Sequence, residues 1–317
     1  MDTNKKSGLI LAGEPMGLLI AQSEGPLDSV SGYSLAVAGA EFNVAVGAAR
    51  LEHKVTYITK LGEDPFGKRI VRVLHENKIG SEFVSFSKER TTGFMLKGRV
   101  SEGDPDIFYF RKNSAASTLS SADVDKIDMS QYSNIHLTGI LPALSEDTLS
   151  ATLKLIEKAK ENGLYISFDP NLRPQLWPTQ QKMIDTVNKL ASYADIVLPG
   201  QAEGKILIGT EDAEAINDFY IKNGAEACVT KCGSKGALVT VKGSQPYMVN
   251  GYKVEKVVDT VGAGDGFATG VITGLMEGLP LKDAVQRGTA IGAIQVMSRG
   301  DNEGLPTRRQ LADFMNK

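Results

Sequence analysis

Two glycine-bearing segments of this chain carry charged side chains at spacings that could hold a phosphate. The more specific is Val258-Asp259-Thr260-Val261-Gly262-Ala263-Gly264-Asp265-Gly266-Phe267, which lies between a β-branched run and an apolar pattern of helical period. It is not the G-x-G-x-x-G of a dinucleotide site, because Phe267 stands where the third glycine belongs. A turn of small residues entering a helix aims several free N–H groups and the positive end of the helix dipole at one point. Gly262, Ala263 and Gly264 supply those amides, and Asp265 adds a carboxylate in the first turn. The string predicts an anion hole beside a base; the plainer alternative is a tight turn in which Asp265 is only a helix N-terminal charge.

The other segment, Gly62-Glu63-Asp64-Pro65-Phe66-Gly67-Lys68-Arg69, has the G-x-x-x-x-G-K spacing of a P-loop but lacks the Ser or Thr that would ligate magnesium. Glu63 and Asp64 would set carboxylates against phosphates, and Pro65 removes an amide donor. A strand-to-helix turn with structural glycines is the better reading.

These residues need a scaffold. From about residue 130 short β-rich runs alternate with amphipathic patterns: strands over 134–138, 165–169 and 195–198, helices over 145–162 and 180–194. Such alternation predicts βαβ units and a parallel sheet. Ser145 is a good N-cap for the first of these helices, Glu146 and Asp147 suit its positive end, and Gly163 stops it. The N-terminal third differs, with strand-like runs over 16–21, 33–37, 92–100 and 107–112 and helical patterns over 41–51 and 66–77. A small second sheet made by excursions out of the main core fits that order. Strands over 227–231, 237–241 and a weaker 246–249 follow, then helices over 264–278 and 281–298.

The composition is that of a soluble globular enzyme: 317 residues, 42% hydrophobic, 23% charged, net charge -3. No basic block suggests nucleic acid as a partner. No run approaches the length of a membrane span, and the apolar run after the polar start at residues 1–6 is too short for a signal-peptide core. Cys228 and Cys232 lack further metal-spaced ligands and read as reduced thiols, so a cytoplasmic setting is expected.

With these strings in view the chain resembles the ribokinase-like (PfkB-type) carbohydrate kinases over nearly its whole length. The resemblance rests on Leu11-Ala12-Gly13-Glu14-Pro15, Gly39-Ala40-Glu41-Phe42-Asn43, the Gly62 to Gly67 turn and, above all, the Asp259 to Phe267 string. Within that family the 108–115, 168–177 and 298–304 segments are most similar to 2-keto-3-deoxygluconate kinases. The resemblance implies a single α/β domain, residues 1–317, with a three-layer αβα core and a discontinuous β-sheet lid from about 14–37 and 91–112. It also implies ATP and Mg²⁺ as cofactors, a sugar as partner and a homo-oligomer joined through the lid. Three positions depart from the family pattern: Ala38 replaces one of a usual glycine pair, Met95 a usual Tyr, and Gly200 the Asn that opens an N-x-x-E motif ending at Glu203.

By the same resemblance, the ATP γ-phosphoryl group passes to a sugar hydroxyl whose proton Asp265 takes, while the amides of Gly262 to Gly264 hold the charge. Glu203 is expected to organise magnesium from a second layer of contacts. Lys231, Gly233, Ser234 and Gly236 resemble the nucleotide-side loop, with an ordinary hairpin turn as the alternative. Asp259 and Thr260 are implied in a monovalent cation site, potassium being the ion expected. Gly39, Asn43 and Tyr109 are expected at the sugar. Arg111 follows an aromatic strand and Arg173 sits just past the C-terminal end of a core strand, where ligands bind in open α/β sheets. Two guanidinium groups there suit the carboxylate of a sugar acid better than a neutral sugar. A fructokinase or ribokinase, and a catalytically silent sugar-binding regulator on the same fold, are the alternatives.

Overall fold

Leu9 and Leu11 face one side of the first strand, Ile10 and Ala12 the other, and all four are fully buried. A strand covered on both faces is the mark of a parallel sheet between helical layers. The computed structural model describes residues 6–100 and 105–316; residues 1–5, the 101–104 stretch and residue 317 lie outside the described residues, including most of the polar start and part of the second lid segment.

The strands are β1 (Leu9–Ala12), β2 (Met16–Ala21), β3 (Tyr33–Ala38), β4 (Val55–Gly62), β5 (Gly80–Ser87), β6 (Phe94–Lys97), β7 (Ile107–Phe110), β8 (Asn134–Thr138), β9 (Tyr165–Asp169), β10 (Ile196–Val197), β11 (Ala227–Lys231), β12 (Gly236–Val241) and β13 (Tyr247–Asn250). The helices are α1 (Ala40–Arg50), α2 (Pro65–Glu76), α3 (Ser121–Asp125), α4 (Glu146–Glu161), α5 (Gln180–Ala191), α6 (Gln201–Ile208), α7 (Ala213–Lys222), α8 (Ala263–Met276), α9 (Leu281–Gln295) and α10 (Arg308–Met315).

The main sheet runs β13-β12-β11-β10-β9-β8-β1-β4-β5, parallel except where β12 runs against both its neighbours. On one face Leu9 and Leu11 pack with Phe42 of α1, Val271 of α8 and Ile291 of α9. On the other, Ile10 and Ala12 pack with Leu155 of α4, Val187 of α5 and Tyr220 of α7. The expected αβα core is thus formed, and a separate sheet of order β3-β2-β6-β7 accompanies it.

Local chemistry sets the element ends. Ser145 Oγ accepts from Thr148 N at 3.1 Å while Thr148 Oγ1 accepts from Ser145 N at 3.0 Å, and Gly163 follows α4 at φ 62°. The predicted strand over 92–100 shrinks to β6 because Thr92 belongs to a loop, its amide donating to Asp64 Oδ2 at 2.7 Å. The last long helix ends at Gln295 rather than 298, where Gln295 Nε2 donates to Gly300 O at 2.8 Å and the chain doubles back. β1, β5 at the sheet edge, α3, α6, α7 and α10 were not among the predicted elements.

Candidate active site

Gly262 caps α8 in the left-handed region, at φ 78°. A Cβ there would fall on the carbonyl oxygen of Asp301, so both backbone angle and space demand glycine. Gly264 is different: a Cβ built on it meets only Lys231 Nζ, at 3.8 Å, with open cavity beyond. One residue on, the Asp265 carboxylate accepts from Asn43 Nδ2 at 2.7 Å and from Asn171 Nδ2 at 3.4 Å. Burial pushes its pKa up to about 7, against the hydrogen bond from Asn43, with Asp169 adding to the rise and Arg173 and Lys231 opposing it. A carboxylate so poised can take a proton near neutral pH.

Two cavities meet at this turn. One, of about 420 Å³, is lined by Gly39, Asn43, Tyr109, Arg111, Arg173 and Asp265. The other, of about 370 Å³ and largely apolar, is lined by Gly233, Ser234, Gly236, Tyr252, Phe267 and Val296. Lys231, Thr260 and Gly264 line both. Each is large enough for a small-molecule ligand. Lys231 Nζ is held at the junction by Asp169 Oδ2 at 2.7 Å. Burial depresses its pKa, but the charges of Asp169 and Glu203 outweigh that and hold it above the ordinary lysine value.

The two arginines differ. Arg111 is buried, and its Nε donates to Glu14 Oε2 at 2.7 Å. Glu14 is itself 1% exposed and accepts also from Ser114 Oγ. The guanidinium that the sequence presented as free is therefore charge-compensated. Arg173 Nη1 donates to Leu172 O at 2.8 Å, and Arg173 forms no ion pair among the described residues. Tyr109 faces the same cavity, with the Arg111 guanidinium 5.8 Å from its ring centroid. Gly39 caps α1 at φ 140°, against the carbonyl of Glu14.

Glu203, at the third position of α6, has both oxygens engaged: Oε2 by Gly200 N at 2.7 Å and Oε1 by Leu172 N at 2.9 Å. It joins the α6 entry to the turn that carries Asn171 and Arg173. Among the described residues no cluster of three acidic, His or Cys side chains could hold a metal. A magnesium ion arriving with phosphates would be held chiefly by their oxygens and water. At the implied monovalent cation site, Asp259 Oδ2 already pairs with the Lys97 ammonium at 2.8 Å while Oδ1 accepts from Val261 N at 3.0 Å, so a second cation at that carboxylate would meet the charge of Lys97.

The Gly62 segment is the structural turn expected: Asp64 Oδ1 accepts from Gly67 N at 2.8 Å and caps α2, whose first residue is Pro65. Cys228 and Cys232 are free thiols. Sequence reasoning missed Lys97, Asp169, Asn171 and Asn302 as site residues. Asp169, Asn171 and Asn302 lay inside strings already singled out, and the amide side chain of the Asn171-Leu172-Arg173-Pro174 turn was the available signal.

A three-layer core, a small sheet beside one of two cavities and a glycine turn between them define a kinase of ribokinase-like fold. The chain belongs to the pfkB family of carbohydrate kinases, whose model matches residues 9–308. It is 45% identical over 312 residues, 98% of this chain and 96% of the other, to a 2-dehydro-3-deoxygluconokinase of Bacillus subtilis. The crystal structure of a PfkB protein from Polaromonas sp. JS666 matches with a TM-score of 0.89 at 40% identity, over 96% of this chain and 99% of that one. A double-mutant fructokinase from Vibrio cholerae, solved with fructose, ADP and potassium ion, matches with a TM-score of 0.86 at 27% identity, over 98% and 99%.

Proposed function

We propose that this chain transfers the γ-phosphoryl group of ATP to 2-keto-3-deoxygluconate (2-dehydro-3-deoxy-D-gluconate), giving the 6-phosphate. The observation that carries the substrate class is Arg173, a guanidinium without an ion pair among the described residues, in the cavity that also holds Asp265. A sugar carboxylate supplies the missing partner, whereas a neutral sugar leaves that charge uncompensated. The likeness to the Bacillus subtilis enzyme supports the same reading.

In this reading Gly39, Asn43, Tyr109 and Arg111 form the sugar wall. The substrate hydroxyl oxygen attacks the γ-phosphorus, its proton passes to Asp265, and the bond from phosphorus to the β-phosphate oxygen breaks to release ADP. The amides of Gly262 and Gly264 hold the moving charge, whereas the Ala263 amide, expected to join them, donates within the turn to Thr260 O at 3.3 Å; Lys231 stands where the two cavities join. Gly233, Ser234 and Gly236 border the apolar cavity, which suits an adenine ring. Magnesium, when bound, neutralises the phosphates, and Glu203 fixes the loops around them.

A homo-oligomer joined through the small sheet belongs to the same proposal. Leu35, Leu19, Leu96 and Phe108 are aligned across one face of that sheet, and Leu35 and Phe108 are exposed. Phe108→Glu should then shift the mass measured by light scattering to that of a monomer. A cytoplasmic setting, where ATP is supplied, completes the reading.

The deciding experiment compares kcat/KM for 2-keto-3-deoxygluconate, 2-keto-3-deoxygalactonate, fructose and ribose with ATP and Mg²⁺. A preference for fructose or ribose over both acids sinks the sugar-acid assignment, and no ADP release with any sugar leaves a silent binding protein.

A further inference from the structure

Lys97 ends β6 of the small sheet, and only 3% of it is exposed. Its ammonium lies between two carboxylates from distant parts of the chain, 2.8 Å from Asp259 Oδ2 and 3.2 Å from Asp301 Oδ1. Both acids belong to segments that shape the glycine turn. Asp259 Oδ1 accepts from Val261 N at 3.0 Å, and the carbonyl of Asp301 packs on Gly262 where a side chain would be. Gln295 ties the same segments, with Nε2 donating to Val261 O at 3.3 Å and to Gly300 O at 2.8 Å.

Burial depresses an ammonium's pKa, but the charges of Asp301 and Asp259 outweigh that and hold Lys97 above the ordinary lysine value. The nitrogen is therefore a permanent positive charge. Without it, two carboxylates converging on one buried point would repel each other across the turn.

We propose that the Lys97 ammonium is a built-in cation which takes the place of the exchangeable monovalent ion implied at Asp259 and Thr260, and so positions the phosphate-binding amides without added potassium. The inference rests on reading the Gly262 to Gly264 turn as the phosphate site. A tethered cation cannot dissociate, and here it also fastens the sugar-side sheet to the turn: Met95, two residues earlier on β6, lines the sugar cavity. Lys97 is a positioning residue.

The test measures sugar-kinase turnover, the Kd of Mg-ADP by calorimetry and the thermal midpoint, each in tetramethylammonium chloride and in KCl at matched ionic strength. The wild type should show the same turnover and Kd in both salts, within about twofold, and the same midpoint. Lys97→Met keeps the stem and removes the charge; in tetramethylammonium it should bind Mg-ADP about tenfold or more weakly. Potassium should recover part of that loss and raise the variant's midpoint but not the wild type's, whereas Lys97→Arg should stay indifferent to potassium. Strong activation of the wild type by potassium, or a Met variant with wild-type affinity in both salts, overturns the proposal. If Lys97→Met does not fold, the wild-type salt comparison still decides. If the wild type fails to bind Mg-ADP in either salt, the phosphate-site reading is what falls, and the selective effect of potassium on the variant's midpoint still reads the role of the charge.

Discussion

Asn302 Nδ2 donates to Asn43 Oδ1 at 2.9 Å, and this fixes which end of the Asn43 amide faces the cavity. Asn43 Nδ2 is thereby directed at Asp265 Oδ2, 2.7 Å away. Asn302 also donates to Val37 O at 2.9 Å, and its own carbonyl accepts from Arg50 Nη1 at 2.7 Å, so the relay is anchored at both ends of α1. Asn302→Ala should lower stability by about 1–3 kcal/mol, since it leaves buried acceptors unpaired, and should lower kcat more than it changes KM for ATP. Denaturant unfolding with steady-state kinetics checks both; unchanged kcat in a destabilised variant would make Asn302 a merely structural clamp.

Asp265→Asn should leave nucleotide affinity nearly intact and reduce kcat by about 10²–10⁴, the range for losing a general base. In the wild type, kcat/KM should fall on the acid side with an apparent pKa near 7. Wild-type turnover in the Asn variant would reduce Asp265 to a helix-capping charge.

The same residue has a signature in stability. Its pKa is raised from 3.8 to about 7, so the native state keeps a proton that the unfolded chain releases, and stability is lost as pH rises between those values. Asp265→Asn removes that penalty. Chemical denaturation should find the variant more stable than wild type by about 2–4 kcal/mol at about pH 8, with the difference vanishing below about pH 4. An equal gain at both ends of the range would point to packing instead of charge.

Arg173→Ala should raise KM for 2-keto-3-deoxygluconate about tenfold or more with little change in KM for ATP or in melting temperature, because charge-assisted hydrogen bonds contribute about 1.5–3 kcal/mol. Arg111→Ala should also weaken sugar binding, but it strands the buried Glu14 and should destabilise the fold by about 3–5 kcal/mol. Calorimetric melting separates the two. Were both variants to keep the wild-type KM, the carboxylate reading would fail.

Gly264→Val tests the turn with the fold preserved, because a Cβ there has ordinary clearance from Lys231 Nζ at 3.8 Å. Activity should disappear while melting stays close to wild type, since the side chain projects into the junction of the cavities. Gly262→Ala should damage the fold itself, having both a left-handed angle and a carbonyl in its way. Normal kcat and KM for ATP in the Val variant would place the triphosphate elsewhere.

What could be read in the sequence was local. β8, β9 and β11 fall on the predicted residues because each is a short β-rich run between clear stops. The turn and Asp265 were legible because glycine spacing and the following helix lie within one string. The relay from Asn302 to Asn43 spans 259 positions and the Lys97 to Asp301 pair 204, and no local pattern announces either. Arg111 read as a free cation for the same reason: Glu14 lies 97 positions away. β5 was hidden because an edge strand with a half-buried, polar-rich face gives little hydrophobic signal.

The middle of the small sheet is the parallel pair β2 and β6, and those strands come from different excursions of the chain. Neither excursion closes a sheet alone: the first gives the hairpin of β2 and β3, the second that of β6 and β7. Anyone seeking to transplant this sheet between relatives would therefore have to graft both segments at once, matched along the register Gly17 to Phe94 through Ile20 to Lys97. A single-segment chimera would join two half-sheets never fitted to each other, and since Lys97 ends the second half, it would misplace the charge under the glycine turn as well.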